Sequence, residues 1–225
     1  MSWKDYRLTR EQIAWRAAQD IHDGAYVNLG IGMPVLCAAH VPAGRHVTYQ
    51  SENGILGFGG PPPEGEEDFD LINASKGAIT LARGASIVHS ADSFAMIRGA
   101  HLDIAILGAF QIAPNGDLAN WSTGEGGVPA VGGAMDLSAG AKAVRVVTTH
   151  VAKDGAPKLV SACALPLTGL QVVDRIYTDL AVVEVSDGRF HLRELVPGVS
   201  LDEIQALTGA PLTTDDVKPL EAPPL

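Results

Sequence analysis

Short apolar stretches recur along this chain at residues 85–88, 104–107, 144–147, 170–173 and 181–185, and they restrict the fold more than any other feature. Several are continuous rather than alternating. A run such as Ile104-Ala105-Ile106-Leu107 has no polar side to turn to water. Strands of that kind are covered on both faces, which is the situation in a largely parallel sheet flanked by helices. The punctuation between the runs agrees. Thr9-Arg10-Glu11-Gln12 reads as a capping box, and Ile13, Ala17 and Ile21 then repeat at helical spacing until Asp23-Gly24. A strand through Tyr26-Val27-Asn28-Leu29 leads into Gly30-Ile31-Gly32-Met33-Pro34, with Pro34 suited to the first turn of a helix. Asp187-Gly188 between two β-rich runs predicts a hairpin, hence an antiparallel element near one edge of the sheet. Ser200-Leu201-Asp202-Glu203 opens a last short helix that Gly209 ends. The expectation is an α/β fold: a single domain over residues 1–212 with a mixed, largely parallel sheet flanked by helices. Residues 213–225, rich in proline and acidic side chains, read as a tail that packs little of itself.

A chain of 225 residues can bury a full core. Its formal net charge of −10 argues against nucleic acid and against anionic membrane surfaces as partners. Any polyanionic ligand must then be held by local donors. Cys37 and Cys163 each lie among apolar neighbours and read as free thiols rather than a bridge or a metal site. The histidines form no cluster with ligand spacing, so no metal is expected. The N-terminal residues lack a signal-peptide core and no apolar run is long enough to span a bilayer, which predicts a cytoplasmic protein.

Ser51-Glu52-Asn53-Gly54 places a carboxylate where a β-rich stretch ends in the strongest two-residue turn signal. Glu52 is thereby put on a stiff support rather than a mobile tip. By itself a glutamate before a turn is an ordinary solvated loop residue. The surrounding segments change its standing. Residues 50–57 resemble the (Ser/Gly)-Glu-Asn-Gly nucleophile loop of family I CoA-transferase β subunits, and residues 26–34 resemble that family's first glycine-rich loop. Asp70-Leu71-Ile72-Asn73-Ala74, the segment 93–99 with His101-Leu102-Asp103, Gly132-Gly133-Ala134-Met135-Asp136-Leu137 and Leu165-Pro166-Leu167-Thr168-Gly169 continue the likeness in order along nearly the whole chain.

The resemblance implies an enzyme that moves CoA between carboxylic acids with ping-pong kinetics, Glu52 being the nucleophile. It places Asn28 and the Gly132-Gly133 backbone beside Glu52, as donors to a developing oxyanion or to substrate. Residue chemistry leaves a plainer reading open for each: an Asx-turn for Asn28, a tight packing turn for the glycine pair. Gln50, Asn53 and Lys76 are further candidates. Lys153 is a weaker candidate as well; for Lys76 a surface position is as good an account, for Arg98 and His101 the capping of backbone carbonyls is a better one, and Trp121 belongs either to the core or to a cleft wall. Gly30-Ile31-Gly32 lacks the third glycine and the acidic partner of a dinucleotide loop, so that reading is discounted. No cofactor is implied: CoA enters as a substrate and is held covalently in the intermediate. The implied partner is a CoA-transferase α subunit in an α₂β₂-type assembly, because this chain lacks that subunit's own glycine-rich pattern.

Two segments depart from the succinyl-CoA:3-ketoacid transferases. The loop 122–131 contains no lysine where those enzymes usually carry two, and Ala74-Ser75-Lys76 replaces their commoner Ala-Gly-Lys. The Trp-Ser-Thr-Gly and Pro-Ala-Val-Gly-Gly pattern is more similar to β subunits acting on 3-oxoadipate in aromatic-compound catabolism. Succinyl-CoA as donor and 3-oxoadipate as acceptor are therefore expected, with acetoacetate as the alternative acceptor. An isomerase or CoA-ester hydrolase or lyase on the same fold, and a non-catalytic scaffold or regulatory subunit that keeps the motif, are the competing readings.

Overall fold

The computed structural model describes residues 2–124 and 131–225. The chain opens with a short 3₁₀ turn and then α1 (Arg10–Gln19), β1 (Tyr26–Leu29) and α2 (Met33–Leu36). The hairpin β2 (Thr48–Ser51) and β3 (Ile55–Phe58) follows, then β4 (Leu81–Ile87), α3 (Ser90–Arg98) and β5 (Ile104–Leu107). A small ribbon of β6 (Gln111–Ile112) and β7 (Leu118–Ala119) precedes α4 (Ala134–Gly140) and β8 (Ala143–Val147). The rest comprises β9 (Val173–Tyr177), β10 (Ala181–Ser186), β11 (Arg189–Leu195), α5 (Leu201–Ala206), β12 (Leu212–Thr213) and β13 (Lys218–Pro219).

All but the ribbon belong to one sheet in the order β12-β11-β10-β9-β8-β5-β1-β2-β3-β4, with β13 also on β11. Its centre, β9-β8-β5-β1-β2, is wholly parallel, and antiparallel strands extend it on both sides. The predicted α/β architecture is therefore the observed one. Ile104, Ala105, Ile106 and Leu107 are all buried, as a strand covered on both faces must be. Helix α1 begins with the expected capping box, Thr9 and Gln12 exchanging bonds with each other's backbone N–H. It ends at Gln19, short of Ile21, and Arg45 donates to the free carbonyls of Gln19 and Ile21. The Asp187-Gly188 turn joins β10 to β11 with both residues at positive φ, as this hairpin type demands.

Three expectations need correction. The stretch 85–88 is not doubly covered: it lies in β4, paired only with β3 at the end of the sheet, and Ile87 is 69% exposed. In 170–173 the strand starts only at Val173, because Gln171 sits at φ 54 and cannot join a ladder. The C-terminal tail does pack. Lys218 and Pro219 pair with Glu194 and Leu195, Leu220 is buried at 2% exposure, and the Pro223 carbonyl accepts a bond from Gln12.

The parallel strands share one carboxyl edge. Gly30 follows β1, Glu52 follows β2, Gly108 follows β5 and Thr148 follows β8. From β1 the chain passes to β2 on one side and later returns as β5 on the other. That is a topological switch point, where open α/β sheets leave a crevice for ligands. Gly30 keeps it open, since a Cβ there would lie 3.1 Å from the Ile106 carbonyl oxygen.

Candidate active site

A cleft of about 770 Å³ lies along this edge, lined by Gly30, Glu52, Asn53, Gly132 and Gly133. Thr148, Thr149, Lys158 and Arg10 line it elsewhere, with Phe94, Phe110 and Trp121 as aromatic walls. The volume suits a drug-sized molecule or an extended thioester arm.

Glu52 is the first residue beyond β2, in the three-residue loop of the β2–β3 hairpin. The Gly54 N–H closes the turn on the Ser51 carbonyl at 3.0 Å, and Gly54 takes φ 120. A Cβ at Gly54 would sit 2.3 Å from the Val88 carbonyl oxygen, so only glycine lets the hairpin press against the end of β4. The carboxylate is thus borne on a rigid support that leans across β1.

There Asn28, itself fully buried, donates from Nδ2 to Glu52 Oε2 at 3.1 Å. The same amide donates to the Gln50 carbonyl at 3.1 Å and to Gln50 Oε1 at 2.6 Å. All three partners are acceptors, which fixes the amide: turned over, its oxygen would face a carboxylate and a carbonyl. Asn28 Oδ1, on the far side, is buried without a partner. Gln50 in turn donates through Nε2 to Ser93 Oγ at 2.6 Å, and that hydroxyl donates to the Ser51 carbonyl at 3.2 Å. A closed chain of neutral polar groups therefore runs under the carboxylate and ties β1, β2 and α3 together. Its buried polar atoms make it costly to disturb.

The opposite wall is Gly133, the N-cap of α4. A Cβ there would meet Glu52 Cγ at 3.3 Å and Oε1 at 3.4 Å. Gly132, at φ 58, faces open space. Asn53 borders the cleft, but its side chain turns away to donate to the Ile72 carbonyl at 2.7 Å.

The structure thus brings Glu52, Asn28, Gln50, Gly132 and Gly133 together. Lys76, at φ 64 in the turn after Asn73, and Lys153 are exposed and do not line the cleft. Arg98 pairs with Asp136 at 2.6 Å, joining α3 to α4, instead of capping carbonyls. Trp121 forms part of the wall and anchors its indole N–H on the Leu167 carbonyl at 3.2 Å. The lysine-free loop 122–131 falls largely outside the described residues at 125–130. Cys37 is buried, its thiol pushed up to about 12 by desolvation, and Cys163 is a second free thiol away from the cleft. Among the described residues no group of three or more His, Cys, Asp or Glu side chains is placed to hold a metal ion, and no helix is long and apolar enough to cross a membrane.

Sequence reasoning missed Lys158, Thr148, Thr149 and Ser93. Thr148 and Thr149 follow an apolar strand and so lie on the carboxyl edge, a usable signal; Lys158, in a loop without periodicity, gave none. Lys158 Nζ donates to Thr148 Oγ1 at 2.8 Å and to the Ala109 carbonyl at 3.3 Å, and burial holds its pKa below the usual lysine range.

Residues 10–207 match the family model described as coenzyme A transferase. The chain is 56% identical to the B-type subunit of the 3-oxoadipate CoA-transferase of Acinetobacter baylyi, over 92% of its length and 96% of that protein's. It is 52% identical to the B-type subunit of the succinyl-CoA:3-ketoacid coenzyme A transferase of Helicobacter pylori, over 89% of this chain and 97% of that one. Among solved structures, the acyl-CoA transferase apoenzyme of Escherichia coli O157:H7 superposes with a TM-score of 0.73 at 20% identity, covering 96% of this chain and 45% of that one. The chain belongs to the coenzyme A transferase family.

Proposed function

We propose that this chain is the β subunit of a transferase that moves CoA from succinyl-CoA to a 3-oxoacid, 3-oxoadipate in the first instance, with Glu52 as nucleophile. The observation that carries the reading is the Glu52 carboxylate itself, seated at a roomy cleft and held at Oε2 by a buried neutral amide 3.1 Å away. Oε1, on the Gly133 side, attacks the thioester carbonyl and the CoA thiolate leaves, giving an acyl-glutamyl anhydride. The thiolate returns to the glutamyl carbonyl carbon, the donor acid departs with Oε1, and a glutamyl-CoA thioester remains. The acceptor carboxylate then runs both steps in reverse. Oε2 becomes an oxyanion each time a nucleophile adds to the glutamyl carbon, and Asn28 Nδ2 already faces it. A preformed donor in that place supplies ~3–4 kcal/mol of transition-state stabilisation.

The names of the relatives support a partner subunit; an α₂β₂-type assembly with a CoA-transferase α subunit is the form we propose for it. The same names support two acceptors, 3-oxoadipate and the acetoacetate-like 3-ketoacids; the Trp121-Ser122-Thr123-Gly124 pattern favours the first. That acceptor suits the further proposal of work in the cytoplasm, within aromatic-compound catabolism.

The test is intact mass spectrometry on the complex with its α partner after mixing with succinyl-CoA. A CoA adduct on this chain, mapped to Glu52 and discharged by 3-oxoadipate, is the expected result. Glu52→Gln should form none while remaining folded. Adduct formation by that variant, or none by the wild-type complex, would refute the carboxylate mechanism in favour of a hydrolase or scaffold.

A further inference from the structure

Two cations line the cleft, Arg10 and Lys158, and the transfer chemistry leaves the part-buried Lys158 without work. Both its hydrogen bonds go to neutral oxygens, Thr148 Oγ1 and the Ala109 carbonyl. The nearest acid that influences it, Asp179, already accepts from the His150 N–H at 2.7 Å and lies 4.0 Å from Arg7. An ammonium group costs free energy to desolvate unless it is paired, and this one is partly buried facing a cavity. The cleft therefore holds a positive charge prepared for an anion that is not part of the chain.

Its distance from Glu52 follows from the sheet. The ammonium group rests on residues just beyond β5 and β8, two and three strands away from β2 in the order β8-β5-β1-β2. At ~4.8 Å per strand the backbone separation is roughly 10–14 Å. The Glu52 carboxylate leans across β1 toward that side, where Asn28 holds it. Its own reach of about 4 Å leaves roughly 6–10 Å to the ammonium. In an extended six-carbon diacid the two carboxyl carbons are about 6 Å apart. A charge-assisted hydrogen bond adds about 2.8 Å. With the bond to Glu52 and the distal C–O bond included, the fully extended diacid spans roughly 11–12 Å, so a partly bent chain fits the gap. A four-carbon monoacid carries nothing that could reach.

We propose that Lys158 is a specificity-determining residue, receiving the distal carboxylate of a dicarboxylic acyl group whose other end reacts at Glu52. Thr148 orients the ammonium. The inference rests on the transferase reading and adds to it a choice between classes of acid: those with a second carboxylate are preferred to those without.

The experiment uses the complex with the α partner, loaded with CoA by succinyl-CoA, and measures kcat/KM for discharge by 3-oxoadipate and by acetoacetate. Lys158→Met should lower the ratio of the two about ten- to a hundredfold, the worth of one hydrogen-bonded charge. Lys158→Arg should restore most of it. Loss of folded protein lowers both rates alike and cancels in the ratio, so a merely structural lysine would leave it in place. Inhibition by adipate, relative to pentanoate, should weaken in Lys158→Met in parallel. A ratio within threefold of wild type in Lys158→Met overturns the inference while the transferase reading stands. So does an equal loss for both acceptors, the mark of a lysine that binds a CoA phosphate. Absence of any adduct on the wild-type chain overturns both.

Discussion

Gly133→Ala is the sharpest test of the site, because it adds one methyl group against the Glu52 side chain and almost nothing else. Gly133 adopts φ −80 and ψ −3, a conformation open to any residue, so alanine introduces no backbone strain there. Two small effects on stability oppose each other. Alanine restricts the unfolded chain, a gain of about 0.4–1 kcal/mol, but is the poorer N-cap for α4, a loss of similar size. The melting temperature of the complex should hardly move. At the site, the new Cβ lies 3.3 Å from Glu52 Cγ, 3.4 Å from Oε1 and 3.5 Å from Phe94 Cζ. Carbon atoms prefer about 3.5–4.0 Å. Phe94 packs against the core and Gly133 opens a helix, so the glutamate must yield, by a few tenths of an ångström toward Asn28. A misplacement of about 1 Å costs roughly a hundredfold in rate, which makes about tenfold the expected loss here. The assay is the single-turnover rate of CoA adduct formation on Glu52, followed by quenched-flow mass spectrometry beside a thermal melt. A rate within twofold of wild type in a folded complex would refute the reasoning, since Glu52 would then not work from the position it holds against Gly133.

Two further outcomes are expected. Asn28→Ala removes the amide that donates to Glu52 and Gln50 and leaves buried acceptors unpaired; adduct formation should fall by about 10²–10³, with a stability loss of about 1–3 kcal/mol read by urea unfolding, and a rate within threefold of wild type would exclude Asn28 from transition-state stabilisation. Burial lowers the His150 pKa to about 4 from 6.5, between the hydroxyls of Thr178 and Thr208, so the unfolded state binds a proton that the folded state refuses between those values. The stability this neutral histidine contributes is complete above pH 6.5 and declines by about 3 kcal/mol as pH falls to 4; relative to His150→Gln the wild-type protein should lose that much over the window, and parallel urea-derived stability curves for the two proteins would contradict it.

The legible parts of the fold were those written locally. Thr9 with Gln12, Ser200 with Glu203, and Asp187-Gly188 satisfy their own backbone within a few residues, and the structure keeps all three. The continuous run in β5 announced a strand covered on both faces. The run at 85–88 misled because composition reports apolarity and not what lies above it: β4 ends the sheet with Ile87 facing outward. The tail misled for the opposite reason, since Leu220 is buried by contacts with β11, some 25 positions earlier in the chain. At the site, the motif segments pointed to Glu52, Asn28, Gln50 and the Gly132-Gly133 pair, which the structure brings together. They were silent on Lys158, because a lysine's meaning depends on which loop the sheet brings alongside it, and that is settled by strand order alone.

What the sequence could not convey is why a neutral amide, rather than a cation, holds Glu52, the proposed nucleophile. A lysine or arginine against Glu52 would bind the carboxylate most tightly before reaction, and that grip would weaken once the charge passed into an anhydride or thioester. Interactions stronger in the ground state than in the transition state raise the barrier. An amide N–H bonds a carboxylate, a tetrahedral oxyanion and an ester-like carbonyl in turn without changing protonation, and it favours the oxyanion among them. Its cost is rigidity, and the buried chain from Asn28 through Gln50 and Ser93 to the Ser51 carbonyl provides it. Placing the cleft's half-buried lysine two to three strands away, on residues beyond β5 and β8, completes the division we propose: a neutral donor where covalent bonds change, and a positive charge where the far end of an acid is to be recognised.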